Sequence, residues 1–246
     1  MKVSAVVVSH GSARELEESL PALRLQVDEL VVIANVPGSV PAGVEAVENE
    51  RPLGFAANLN KGFALTSGDA VLSVNPDAVP EPGAVAALAG FMAAHPRCGV
   101  AGPKMVFPDG RPQPSRRRFP TVTGTIVRRT PLRKLVRQRR HLHLDAPPPA
   151  EPVQVDWMLG GFLLLRRSML EELGGFDEGF RLYGEDIDLA YRAMQAGWER
   201  WYVPQAVVRH AHAAETDRRF VTRRTLWHWR GIARFVRKHP ERLRAL

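Results

Sequence analysis

Thiols are nearly absent from this chain. Cys98 is the only cysteine among 246 residues, which excludes an intramolecular disulfide framework and fits a reducing compartment. Long apolar runs are missing too. No stretch approaches the roughly 18 residues needed to cross a bilayer, and Val3–Val8, followed by polar His10, is too short for a signal-peptide core. Acids are scarce in two places. Residues 111–145 hold eleven Arg/Lys against Asp145 alone, and residues 216–246 hold ten against Asp217 and Glu241. With a formal net charge of +8 for the whole, the remainder carries −10. Two basic segments on an acidic body favour an anionic surface as partner. Nothing else in the composition is unusual: 45% hydrophobic and 24% charged residues exclude wholesale disorder. The length suits one large domain or at most two small ones, and the expectation is a soluble, cytoplasmic protein.

What is present has a rhythm. Val3–Val8 reads as a buried strand, and Leu16, Leu20, Leu23 and Val27 recur at helical spacing after Ser12. Leu30–Ala34 is a second strand, 54–66 a helix with Phe55, Leu59 and Phe63 on one face, Ala70–Val74 a third strand, and Pro80–Ala94 a helix. Strand and helix in alternation predict an α/β fold with a mostly parallel central sheet flanked by helices. Proline-rich residues 103–152 interrupt this order. Beyond them Phe162–Leu165, Arg200–Val203 and Ala206–Val208 read as strands and Asp186–Ala196 as a helix stopped by Gly197. Residues 219–238 form a helix with two faces, Leu226, Trp229, Ile232, Ala233 and Val236 on the side expected to pack inward. Arg223, Arg224, Arg230, Arg234, Arg237 and Lys238 lie broadly opposite, among Phe220 and Trp227.

Three constellations carry chemistry. Asn75-Pro76-Asp77 follows a buried strand, and ligands of open α/β sheets bind outside the carboxyl ends of strands. A carboxylate there suits a hard divalent cation gripping a diphosphate; it also suits a turn or helix cap. Glu185, Asp186 and Asp188 crowd a helix start, where the dipole favours acids, yet like charges together also raise a pKa toward that of a general base. His210 and His212 alternate on an extended segment, so one faces a site while the other faces solvent.

Further sequence blocks stand in order around these: Gly54-Phe-Ala-Ala-Asn-Leu-Asn60-Lys-Gly62, Asp156-Trp157-Met-Leu-Gly160-Gly161, Gly174-Gly-Phe-Asp177-Glu178, Tyr183-Gly-Glu185-Asp186-Ile-Asp188-Leu, and Gly197-Trp198 through Pro204 to His210. Taken together they resemble the inverting glycosyltransferases of family 2, of GT-A fold, and most closely the rhamnosyltransferase branch. The resemblance implies a Rossmann-like nucleotide-binding half and an acceptor half. A single catalytic domain would span 1–215, with nucleotide-sugar half 1–102, basic proline-rich insert 103–152 and acceptor half 153–215, followed by a basic amphipathic helix in 216–246. Carried over position by position, Asp77 is implied to hold Mg2+ or Mn2+, with His210 approaching the metal and diphosphate, and Asp186 is the implied general base. Asn60 and Asn75 would join the nucleotide-sugar pocket. Asp156 and Trp157 would meet donor sugar or acceptor, with Gly160, Gly161 and Glu185 beside them.

One departure matters. The family usually has an acid before the Asn that follows the second strand, and this chain has Ala34-Asn35. Base recognition is then expected from Ser9, His10 or Asn35. The activity implied is transfer of a sugar, rhamnose from a dTDP donor by resemblance, to a lipid-linked or polysaccharide hydroxyl in cell-envelope glycan synthesis. The basic segments would then dock peripherally on the inner face of the cell membrane, against an anionic surface. Their alternative is a solvated face with salt bridges to the domain. Nucleic acid is not an expected partner, since no RNA-binding module is visible. Two other functions compete. A sugar nucleotidyltransferase would need a glycine-rich loop after the first strand, where Ser9-His10-Gly11-Ser12 has one glycine. A catalytically degenerate scaffold is motivated by Ala34.

Overall fold

The computed structural model describes residues 1–119, 147–211 and 223–243. Arg128 to Arg140 of the basic insert, His212, Phe220 and the side chains of Arg223, Arg224 and Leu226 lie outside the described residues.

The first half is built on parallel strands Val3–Ser9 (β1), Glu29–Ala34 (β2), Val47–Glu48 (β3) and Ala70–Val74 (β4), in the order β3-β2-β1-β4. Successive residues of β1 point to opposite faces, and both faces are covered. Val3, Ala5 and Val7 meet Leu16, Leu20 and Leu23 of Ala13–Arg24 (α1) and Leu88 and Met92 of Ala84–Ala94 (α3). Val6 and Val8 meet Ala56, Leu59 and Phe63 of Phe55–Ala64 (α2). Burial on both sides explains why these strands read as unbroken apolar runs.

The second half completes the sheet with Ala78–Pro80 (β5), Cys98–Val106 (β6), Val153–Gln154 (β8), Phe162–Arg166 (β10) and Glu199–His210 (β11). The described strands form a nine-stranded sheet, β3-β2-β1-β4-β10-β6-β11-β5, with β8 on β11. Strand β10 enters antiparallel between β4 and β6. Arg116–Arg117 (β7) and Trp157–Met158 (β9) pair separately as a short ribbon. Helices Arg167–Leu173 (α4), Glu185–Gln195 (α5) and Arg223–Lys238 (α6) complete the chain.

The mixed α/β layout with its mostly parallel sheet is as expected; several details differ. The third helix begins at Ala84, because Pro80 closes strand β5 against Val208. The two short strands expected at 200–208 are one strand, β11, whose register against β6 jumps between Val203 and Val207. Pro204 lies in that jump and has no N–H to give the ladder. Helix α5 is buried on two sides: Leu189 and Ala193 face the sheet core, while Ala190 and Tyr191 face α6.

The largest correction concerns α6. Trp229, expected inward, is 39% exposed, and Ala233 is exposed as well. Among the described residues of this segment, the buried ones are Gly231, Phe235 and His239, at i, i+4 and i+8. Arg234 and Lys238, expected outward, are ion-paired to Asp177. An apolar periodicity misplaces this face because acids on the body draw two cations inward.

Gly62 shows how tightly α2 lies on β1, since a Cβ at this position would overlap the Val6 side chain. On a solvated helix a glycine-to-alanine change would gain about 1 kcal/mol. Here overlap wins, and Gly62→Ala is expected to lower unfolding free energy by about 1–3 kcal/mol in urea denaturation.

Candidate active site

Strand register assembles the site. Val74 pairs with Phe162 in the β4–β10 ladder, so the residues just beyond, Asn75 and Gly161, face each other, and Asn75 N–H donates to Gly161 O at 2.8 Å. In the β5–β11 ladder His210 pairs with Ala78, next to Asp77. The ring Nε2 of buried His210 lies 3.3 Å from Asp77 Oδ1, and Asn75 Nδ2 is 3.4 Å from the same nitrogen. A Cβ on Gly161 would stand 3.1 Å from His210 Nε2 and 3.3 Å from Asn75 Nδ2, so only glycine leaves this corner open.

The neighbouring residue turns to the other acid. Gly160 N–H donates to Asp186 Oδ2 at 3.2 Å, and Ile187 N–H donates to Oδ1 at 2.8 Å. Consecutive Cα atoms are about 3.8 Å apart. His210, with Asp77 beside it, and Asp186 therefore converge on two adjacent glycines.

Asp186 opens α5 after a strained turn. Tyr183 has φ +69° and Gly184 φ +97°; a left-handed residue other than glycine costs roughly 1–2 kcal/mol and persists where its surroundings hold it. Burial pushes the Asp186 carboxyl above the ordinary carboxylate range, while the amides of Ile187 and Gly160 and the charge of Arg117 oppose the shift. Glu185 is raised further, by burial and then by the adjacent Asp186. Its Oε2 is buried without a hydrogen-bond partner among the described residues.

Gln113 Oε1 lies 3.0 Å from His210 Nδ1. A ring proton on Nδ1 would be accepted by that oxygen and would leave the Nε2 lone pair directed at Asp77 and Asn75. A carboxylate oxygen and an imidazole nitrogen in that tautomer fit a divalent cation. No group of three or more His, Cys, Asp or Glu side chains with metal-binding geometry occurs among the described residues; Mg2+ is usually held by one or two protein carboxylates together with waters and phosphate oxygens. Gln113 was missed at the sequence level. It lies in the proline-rich insert, buried by a turn in which its N–H donates to Met105 O at 2.8 Å, and no local pattern marks it.

The other expected site residues divide into two sets. Ser9, at the end of β1, and Asn35, just after β2, stand at neighbouring strand ends beside Asn75 and Asp77, where the chain order reverses between β1 and β4. The Ser9 hydroxyl donates to Ser39 O. Asn35 Nδ2 contacts His10 Nδ1 at 3.0 Å and donates to Leu53 O at 3.1 Å, while its Oδ1 accepts from Asn49 and from Leu53 N–H. His10 is exposed beside it. Asn60, in contrast, clamps the 175–178 loop, donating to Phe176 O and Glu178 Oε1 and accepting from Phe176 N–H. Asp156 accepts from Phe119 N–H at 2.8 Å, and Trp157 Nε1 donates to Arg118 O at 2.8 Å, so both fasten the residues that follow ribbon strand β7. Asp188 is separated from Asp186 altogether and enclosed by Arg192, Lys238 and His239.

Glu185 generates a test with a definite sign. Its folded pKa is raised, so the native state holds the proton more tightly than the unfolded chain, and stability falls as pH climbs from the ordinary carboxylate range through the raised value. Glu185→Gln is expected to show a smaller loss of thermal stability between about pH 5 and pH 8 than the parent protein.

Comparison with known proteins identifies the family. Residues 8–228 match the family described as "Glycosyltransferase like family 2". The chain is 34% identical over 243 residues to the N-acetylglucosaminyl-diphospho-decaprenol L-rhamnosyltransferase of Mycobacterium tuberculosis (strain ATCC 25618 / H37Rv), an alignment covering 87% of this chain and 77% of that protein. Over 82 residues it is 38% identical to rhamnosyltransferase WbbL of Escherichia coli (strain K12), covering 33% of this chain and 31% of the other. Among solved structures, GalNAc-T7 with UDP, GalNAc and Mn2+ aligns with TM-score 0.66 at 18% identity, over 100% of this chain and 51% of its own, so this chain spans about half its length. Mannosyltransferase PcManGT of Pyrobaculum calidifontis, with GDP-Man and Mn2+, gives TM-score 0.59 at 18% identity, over 95% of this chain and 64% of its own. At such identities the structural likeness bears on the fold alone. Matched over most of its length, with the motifs in order, the chain belongs to the glycosyltransferases of the family 2 type.

Proposed function

We propose that the chain is an inverting glycosyltransferase moving a sugar from a nucleoside-diphosphate sugar to a hydroxyl acceptor. The favoured donor is dTDP-rhamnose and the acceptor a lipid-linked or polysaccharide precursor of cell-envelope glycan. The substrate class is supported by the rhamnosyltransferases it resembles, one of which is named for a diphospho-decaprenol acceptor. The reaction class rests on one observation: His210, 3.3 Å from Asp77, stands against Gly161, while Asp186 accepts from the N–H of Gly160.

Inversion places an acceptor oxygen and a departing diphosphate on opposite faces of the anomeric carbon. Asp186 takes the proton from the acceptor hydroxyl. Its two oxygens are fixed by amide N–H donors, and burial strengthens it as a base. Asp77 and His210 would hold Mg2+ or Mn2+, which when bound supplies positive charge to the leaving diphosphate. His10 and Asn35, at the ends of β1 and β2, are on the nucleobase side of that diphosphate. Ser9 supports them by holding the Ser39 loop. Base catalysis of this kind is worth about 10²–10⁴-fold. Asp186→Asn is accordingly expected to cut nucleoside-diphosphate release, measured with acceptor across a panel of dTDP, UDP and GDP sugars, by about that factor. An unchanged rate, or no release from any donor by the parent protein, would favour a binding scaffold instead.

No helix among the described residues is long and apolar enough to cross a membrane. The outer face of α6 carries exposed Trp229, Arg230 and Arg237, and Trp227 stacks under Arg181 at 5.5 Å. This pairing of aromatics with cations suits an anionic interface, where each basic residue contributes about 1 kcal/mol. Co-sedimentation with liposomes is expected to rise with the anionic lipid fraction and to fall in Trp229→Ala. Binding indifferent to lipid charge would end the membrane reading.

A further inference from the structure

Asp186 lies within a segment, residues 177–188, that is gripped on both sides from behind. Asp177 accepts from Arg234 Nη2 at 2.7 Å, Lys238 Nζ at 2.8 Å and Gly179 N–H at 2.9 Å. Burial alone would raise its carboxyl, but these donors outweigh burial and hold it well below the usual carboxylate range. Asp188, fully buried, accepts from Arg192 Nε at 2.7 Å, Lys238 Nζ at 3.0 Å and His239 Nε2 at 2.9 Å. Lys238 thus touches the aspartates on either side of Glu185-Asp186.

Between those aspartates runs the left-handed pair Tyr183-Gly184. The α6 backbone lies directly on it, since a Cβ on Gly231 would overlap Tyr183 O. The grip continues into the body. Arg192 donates to Leu173 O and Gly175 O at 2.8 Å each, and Asn60 holds the same loop at Phe176. Tyr191 contacts Phe235 and His239 edge-on, at 5.7 and 4.6 Å between ring centres.

We infer that α6 is a positioning element of the reaction, with Lys238, assisted by Arg234, as the residue that sets Asp186 against Gly160 by pinning Asp177 and Asp188. This rests on the reading of Asp186 as the base. A purely structural strap would be placed anywhere along the edge of the fold; this one bears on the strained turn that delivers the base and on the carboxylate two residues after it. Lys238 touches neither Gly160 nor Asp186, so its effect passes through the segment.

Lys238→Met leaves Asp188 with Arg192 and His239, and Asp177 with Arg234, so the fold retains partners at both ends. The expected result is a fall in kcat of about 10–100-fold from a displaced reacting group. Donor KM should stay within about twofold because β1, β2 and β4 are untouched, and Lys238→Arg should restore most of kcat. Assays run well below each variant's own Tm separate positioning from loss of folded protein. A lowered Tm with parental kcat would overturn the inference, as would loss of kcat accompanied by an equal change in donor KM. Should Lys238→Met fail to fold, Arg234→Gln removes a single pin and carries the same expectation. Asp186→Asn run in parallel tells the two failures apart. An inactive Asp186→Asn beside a fully active Lys238→Met overturns only the positioning role, whereas an active Asp186→Asn overturns the base assignment and this inference with it.

Discussion

The antiparallel seating of β10 between β4 and β6 is the constraint on which the rest depends. Its register sets Gly161 opposite Asn75 and so delivers Gly160 to Asp186. A slip of one residue would turn every side chain of β10 to the other face, moving Phe162 and Leu164 out of one core and Leu163 and Leu165 out of the other. Register is thus enforced by burial on both faces of the sheet, far from the reacting groups. The chemistry inherits its geometry from that packing.

Three aspartates of one short segment show how environment, rather than residue type, assigns a role. Asp177 is kept ionised by two cations and an amide. Asp188 is enclosed by three cationic or imidazole groups and has no exposed surface. Among the described residues Asp186 has backbone amide donors and the charge of Arg117 against its burial, and its carboxyl rises instead. The environments of Asp177 and Asp186 thus separate their proton affinities, as acid–base chemistry requires. Glu185, buried beside Asp186, ensures that the two carboxyls do not ionise with equal ease.

Much of the fold was legible without coordinates. The doubly covered strands β1, β2 and β4 announced themselves as β-branched runs, and α1 and α2 as leucine and phenylalanine stripes, because burial on a regular element leaves a periodic trace. Asp77, Asp186 and His210 were legible too, each at the end of such an element. The facing of α6 was not. Arg234 and Lys238 look like solvated charge until Asp177 and Asp188 are seen across from them, and Gly231 looks like a weak point in a helix until the Tyr183 carbonyl is found against it.

The sequence alone determined the alternation of strands and helices, the acids and histidine that punctuate it, and the family whose motifs occur here in order, because these are local patterns or their succession. Only the tertiary structure decided that Asn60, Asp156 and Trp157 hold neighbouring loops, that Gln113 meets His210 Nδ1, and that Asp186 and Asp188 go to opposite sides of α5. Each of these rests on partners many residues away. A side chain's nearest neighbours in space are chosen by strand register and helix docking, which no local stretch of sequence contains.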